Sequence, residues 1–443
     1  MQRGEETTTG PHLGDGLGAY LRLLRHGPAG RPFLAAFIAR LPISMAPLGI
    51  LLLIEHDRGA YAIAGLVTGA YALGSAAGTP LWGRLMDRFG QVPVLLPTSL
   101  GSAGLLAALA VCTVSGAPTA VLLACSTAAG LSYPPISPAI RSAYRIILPD
   151  PAARRVAFAL DATSVELLFV GGPLLLSVLL ALTPPVAPLL VTAGFMAGGG
   201  VAYCRTDAAR RWRPGSAGLG EPHPQLKGHR SAVTAPGVAA VLAVMLALSI
   251  GFGQLDTSMA ATAGERLGST DKVGLLFAAI AGGSTIGGLA FGTRHWRIDE
   301  RRAVAVLLAL FAVFLAAMAA LVWFPTSPLW LMFPLLFLTG CTIAPTLIMQ
   351  QSLLDHLSPA HRLNEAQAFL SAATTTGGAA GTAIAGFVID GWGLTAAFVG
   401  AATGAAVAAG IALASQSHWR AAAERLASSP TPTADATSSA PAP

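Results

Sequence analysis

Between Pro32 and Gln416 the chain runs through about twelve separable apolar stretches, each near the ~20 residues that a helix rising 1.5 Å per residue needs to cross a bilayer. That pattern makes it a polytopic, all-α integral membrane protein. In hydrocarbon an unpaired backbone polar group costs several kcal/mol, so each span must be a closed helix. A charge retained inside a span is a candidate for function. The composition agrees: 53% of residues are hydrophobic and 11% charged, where about a quarter are charged in soluble domains.

The expected spans are 32–54, 61–82, 92–114, 118–140, 155–181, 185–204, 236–260, 273–292, 303–324, 328–350, 365–389 and 394–415. With the N-terminus inside, 23 of the 27 Lys and Arg residues fall in cytosolic loops, three outside (Arg58, Arg266, Lys272) and one, Arg40, within the membrane. Such a split follows the positive-inside rule and predicts a multi-pass cell-membrane protein with both termini cytoplasmic. The first thirty residues hold Arg3, Glu5, Glu6, Asp15, Arg22 and Arg25 without an apolar core, so no cleaved signal peptide is expected. Only Lys227 and Lys272 are lysines, and most basic residues sit at span ends. The net charge of +6 therefore reads as topology, not as a nucleic-acid footprint. Cys112, Cys125, Cys204 and Cys341 lack metal or disulfide spacing, and no cofactor is implied.

The expected organisation is a cytosolic segment 1–30, a six-helix bundle 31–206, a cytosolic loop 207–235, a second six-helix bundle 236–416 and a disordered cytosolic tail 417–443. A short interfacial helix is expected at 17–25. The halves read as a duplication. Gly65, Gly74, Gly78 and Gly83 fall on Gly274, Gly283, Gly287 and Gly292 at an offset of 209, and Gly130, Pro135, Pro149 and Gly171 fall on Gly340, Pro345, Pro359 and Gly381 at 210. Parallel six-span repeats about an axis along the membrane normal are a transporter architecture, with substrate bound near the midplane.

After the second span the chain reads Gly83-Arg84-Leu85-Met86-Asp87-Arg88-Phe89-Gly90-Gln91. Gly83 and Gly90 suit a tight turn, and Asp87 between two arginines is a charge cluster at a helix end, able to pair locally or to meet another helix's N-terminus. The stretch resembles the loop between spans two and three of the major facilitator superfamily, Gly-x-Leu-x-Asp-Arg-x-Gly-Arg/Lys, with Gln91 in place of the usual base. With twelve spans and duplicated halves, the resemblance covers essentially the whole chain. It implies a cytosolic latch built on Gly83, Arg84, Asp87, Arg88 and Gly90, with Arg141 at the same end, bringing Asp87 near Arg362 and Glu365 when that side is closed. The corresponding second-half loop, 292–302, has lost the pattern. A weaker likeness lies in span five, where Gly171-Gly172-Pro173 is similar to the Gly-Pro core of exporters; Pro173 should kink the outer half. The fourth-span arginine of such exporters is absent.

Four ionisable residues lie inside spans: Arg40, Asp161, Glu166 and Asp256. Arg40 and Glu166 match in depth when counted from Arg31 and Arg155, so they are expected to be able to pair, with Asp161 shallower and about 140° away from Glu166 at 100° per residue. Glu166 shares a face with Pro173. It is either a group that takes and releases the coupling proton, tuned by Arg40, or half of a permanent ion pair. Asp256, beside Gln254, is expected near the external mouth. Gln254, Thr346 and Gln350 are substrate-cavity candidates, with interhelical hydrogen bonding as the plainer role.

These features predict a secondary active transporter that works by alternating access, acts as a monomer in the lipid bilayer and moves a small-molecule substrate with protons as the coupling ion. Export of a drug-like or amphipathic metabolite is favoured over uptake of a sugar or other small metabolite, and over a non-transporting sensor. No hydrolase, paired-histidine metal or phosphate-loop motif supports an enzyme. Single cysteines at Ser216 and Ser269, in a cysteine-free background, should react with impermeant reagents from the inside and the outside respectively; the reverse pattern would overturn the orientation.

Overall fold

The computed structural model describes residues 29–148, 150–212, 237–292, 299–324, 328–358 and 363–427. Twelve helices are long and apolar enough to span a membrane: Gly30–Arg58 (span 1), Tyr61–Phe89 (2), Gln91–Val114 (3), Thr119–Ile147 (4), Val156–Leu182 (5), Ala187–Cys204 (6), Val238–Glu265 (7), Thr270–Phe291 (8), Glu300–Trp323 (9), Met332–Leu357 (10), Phe369–Trp392 (11) and Leu394–Ala414 (12). There is no strand among the described residues. All twelve expected spans are present. Several helices outrun the apolar stretch that betrays them, because a helix does not stop where hydrocarbon does. Span 2 stays helical through Gly83 to Phe89, which removes Gly83 from any turn, and the helix of span 5 begins at Pro151.

Two spans are broken where proline removes a ladder donor. Span 1 consists of Gly30–Arg40 and Pro42–Arg58, joined at Leu41, and span 4 of Thr119–Leu131 and Ile136–Ile147, with Pro134 and Pro135 in the gap. Pro173 lies inside a continuous helix, Pro151–Leu182. The tail and loop are more ordered than expected at their starts. Asp207–Arg211 is a short helix capped by Thr206, and Gln416–Ala427 is a helix whose buried Trp419 donates to the carbonyl of Gly237 at 3.1 Å. The expected interfacial helix at 17–25 and the rest of the loop and tail lie outside the described residues. Outside the spans, Asp299 caps span 9, and its hydrogen bond from Arg301 holds the carboxyl below its usual value.

The repeated glycines mark one crossing made twice. A Cβ at Gly74 or Gly78 of span 2 would run into the backbone of span 4 at Thr127 or Leu131, and one at Gly130 would strike the carbonyl of Tyr71. Likewise Gly283 and Gly287 of span 8 lie against Phe337 and Cys341 of span 10, and Gly340 lies against Ile280. Backbones approach this closely only without side chains between them, which is how helices associate where no hydrophobic force drives them. The first glycine of each set faces the other half: Gly65 meets the carbonyl of Thr382 in span 11, and Gly274 of span 8 meets Pro173 and Ser177 of span 5. Spans 2 with 11 and 5 with 8 therefore form the seam between the halves. Gly130→Ala should destabilise the protein by ~1–3 kcal/mol, the usual cost of overpacking, whereas Gly104→Ala, with nothing within 4 Å of the added carbon, should not. Thermal unfolding in detergent distinguishes the two.

Candidate functional site: a buried charge cluster and the seam between the halves

Arg40 is the last residue of the first half of span 1, where its cation faces the carbonyl end of that helix segment. It is 1% exposed, and Asp161 of span 5 is 0% exposed. The guanidinium donates through Nη1 to Asp161 Oδ1 at 2.7 Å, through Nη2 to Ser164 Oγ at 3.1 Å and through Nε to the carbonyl of Ala36 at 3.2 Å. Arg141 of span 4 donates from Nε to the other oxygen, Asp161 Oδ2, at 2.8 Å, yet its side chain is 54% exposed. One carboxylate of span 5 thus serves two guanidiniums, from spans 1 and 4. The cluster carries a net positive charge, and its accessible edge belongs to Arg141.

The partner of Arg40 is Asp161, where equal depth from the apolar boundaries had pointed to Glu166. The helix of span 5 starts at Pro151, so Asp161 lies ten residues along it, just as Arg40 lies ten beyond Gly30. At 1.5 Å per residue both are ~15 Å in. The side chain of Glu166 lies outside the described residues. Arg141 belongs to this cluster, not to the Asp87 motif.

Gln91 was missed as more than a departure from the pattern. It is fully buried; its Nε2 donates to the carbonyl of Ala139 at 2.8 Å and to Ser142 Oγ at 3.0 Å, while Oε1 accepts from Tyr203 at 3.1 Å. Spans 3, 4 and 6 are tied through this amide. A cation here would be buried against an amide carbonyl and two hydroxyls with no counter-charge, and the only sequence signal was the missing base itself.

The two ends of the seam differ. At one end Asp390 of span 11 accepts from the backbone N–H of Tyr61 at 3.0 Å and of Ala62 at 2.7 Å, the first residues of span 2. Nearby Gly386 packs on Tyr61, and Ser177 Oγ accepts from Gly274 N at 2.6 Å. At the other end Asp87 is exposed and forms no hydrogen bond or ion pair among the described residues, and Arg84 is exposed. Arg88 lies over the ring of Phe89 at 5.2 Å. Gly90, with φ +97°, makes the turn. Arg362 and the side chain of Glu365, expected near Asp87, lie outside the described residues.

Asp256 is exposed although it sits nine residues, ~14 Å, before the end of span 7 at Glu265. Its neighbours Gly253 and Gln254 pack against spans 11 and 12, at Gly378 and Gly400, so the carboxylate occupies the face left open. The three cavity candidates do not line open space. Gln254, Thr346 and Gln350 are buried in helix packing; Thr346 bonds to Thr342 of its own helix, and Gln350 reaches Val241 of span 7 at 3.5 Å. Gly172 is held small by Ser44 of span 1, while the Pro173 face meets span 8.

The Major Facilitator Superfamily pattern matches residues 32–293 and, a second time, 241–440. The chain belongs to that superfamily. Solved structures of other members share its fold. A nucleoside transporter, NupG, is 13% identical with a TM-score of 0.65 over 89% of this chain and 100% of its own. A bacterial homologue of the human lysosomal transporter Spinster is 13% identical with a TM-score of 0.64, covering 91% and 99%. The human organic anion transporter MFSD10 is 19% identical with a TM-score of 0.57, covering 87% and 98%. No curated protein matches by sequence. The superfamily double repeat accounts for the second match, which starts in span 7.

Removing one partner of a buried pair costs ~3–5 kcal/mol, because the other is left uncompensated. Asp161→Asn should therefore lower the unfolding midpoint more than the double replacement Arg40→Met with Asp161→Leu. A double mutant less stable than Asp161→Asn would refute that ordering.

Proposed function

We propose that this chain is a proton-coupled exporter of small amphipathic solutes bearing an anionic group, working as a monomer by alternating access in the cell membrane. The Asp87 end and both termini face the cytosol, and the Asp390 end faces outward. The observation that carries the reading is the asymmetric seam: spans 2, 11, 5 and 8 are bonded at the Asp390 end, while the Asp87 motif stands unpaired at the other. That is the arrangement of a carrier closed outside and open inside. It favours a transporter over an enzyme.

Within this state each charged group has a distinct part. Both oxygens of Asp161 are taken by arginines, so it holds Arg40 and Arg141 in place. Arg141 offers its free guanidinium edge toward the cytosolic opening, where it meets the anionic group of the solute as a charge-assisted hydrogen-bond donor. Asp256 is assigned the coupling proton, since its carboxylate faces open space deep in span 7. Glu166 was the sequence-based choice for that part. The direction rests on the likeness of Gly171-Gly172-Pro173 to the Gly-Pro core of exporters; Pro173 lies against Gly274 in the seam.

Inside-out proteoliposomes with an imposed pH gradient, acid inside, test this against a panel of amphipathic carboxylic acids and their neutral amides. The acids should accumulate and the amides should not. Asp256→Asn should abolish gradient-driven accumulation while retaining exchange, and Arg141→Gln should raise the KM for acids by about tenfold, the loss of one charged hydrogen bond. Accumulation by Asp256→Asn at the wild-type rate, with loss in Glu166→Gln, would return the proton to Glu166.

A further inference from the structure

The Asp87 motif has an unassigned counterpart at the other end of the seam. Span 2 ends Asp87-Arg88-Phe89-Gly90, and span 11 ends Asp390-Gly391-Trp392-Gly393. In both, an aspartate stands three residues before a glycine, with an aromatic residue between them. The two endings also fold alike. Gly90 and Gly393 have φ of +97° and +82°, and their N–H groups donate four residues back, to Met86 at 2.8 Å and to Ile389 at 2.9 Å. Phe89 and Trp392 are both exposed.

The two helices lie antiparallel, because the last turn of span 11 meets the first residues of span 2. The antiparallel course puts each C-terminal aspartate at the same end of the pair as the other helix's N-terminus. Asp390 uses that placement here: its two oxygens take the first two N–H groups of span 2. A carboxylate at a helix N-terminus satisfies orphan donors and meets the positive end of the macrodipole. Asp87, at the end of the pair where span 11 starts, is exposed and forms no hydrogen bond or ion pair among the described residues.

We propose that Asp390-Gly391-Trp392-Gly393 is an outer latch, the reciprocal of the Asp87 motif: each span caps the other's N-terminus from its own C-terminus, and the two latches engage in turn. Closing one end of an antiparallel pair separates the other, so the caps compete. The glycines end both helices abruptly, which leaves each aspartate in the last turn of its helix. This assignment rests on the alternating-access reading, and its test reads conformation instead of flux.

Spin labels at Ser115 and Trp323 report the distance between halves at the Asp390 end, and labels at Arg205 and His418 report the Asp87 end, in a cysteine-free background. Loss of a charged cap should move the ratio of the two states by about three- to tenfold. Asp390→Asn should enrich the form open at the Asp390 end, Asp87→Asn should enrich the opposite form, and the double mutant should return toward wild type. Asp390→Glu, which keeps the charge, should shift least and serves as the folding control. Unchanged distances in a well-folded Asp390→Asn would overturn the latch; shifted distances without solute transport would leave it standing and refute the exporter.

Discussion

A guanidinium in the interior of a membrane protein needs a counter-charge at its own depth, and the first half of this molecule is arranged around that requirement. Arg40 sits where Pro42 breaks span 1. Asp161 and Ser164 of span 5 face it, and Arg141 of span 4 closes the cluster. Three spans are thereby fixed in register by hydrogen bonds that lipid cannot compete for. The cluster is also asymmetric, with the guanidinium of Arg40 sealed and the side chain of Arg141 half exposed.

Among the described residues the second half repeats the crossing of spans 2 and 4 in spans 8 and 10 but not the charge cluster. It contributes Asp256, exposed within span 7, and Asp390 at the end of span 11. Two halves with the same glycine crossings and different polar contents suit a carrier. Close glycine contacts hold the crossings within each half, and contacts of the same kind line the seam between spans 2 and 11 and between 5 and 8. A bonded contact at one end of that seam and an unbonded motif at the other is what alternating closure requires of a single state.

Much of this could be read from the chain. Twelve spans followed from hydropathy, and the glycine offsets read as a duplication, because a position that must lack a side chain leaves a mark at a fixed spacing; that these glycines are helix crossings came from the structure. The partner of Arg40 could not be read. Depth was counted from charged residues at the apolar boundary, and the helix of span 5 starts four residues before that boundary, which moves the matching acid from Glu166 to Asp161. The burial of Gln254, Thr346 and Gln350 was equally hidden: periodicity gives relative direction around a helix but not which neighbour occupies it. Asp390 escaped notice because it lies at the end of a span, where a carboxylate costs little and carries no signal until its partner helix is placed.

The proposed function requires a cavity that reaches Asp256 from the Asp87 end and is sealed at the Asp390 end. Alkylation of a single cysteine replacing Asp256 by a membrane-impermeant reagent tests this without knowledge of the solute. Inside-out vesicles should label much faster than right-side-out vesicles, since only the former present the open end to the reagent. Faster labelling from the outer face, or none from either, would contradict the placement of the cavity and the sealed end together.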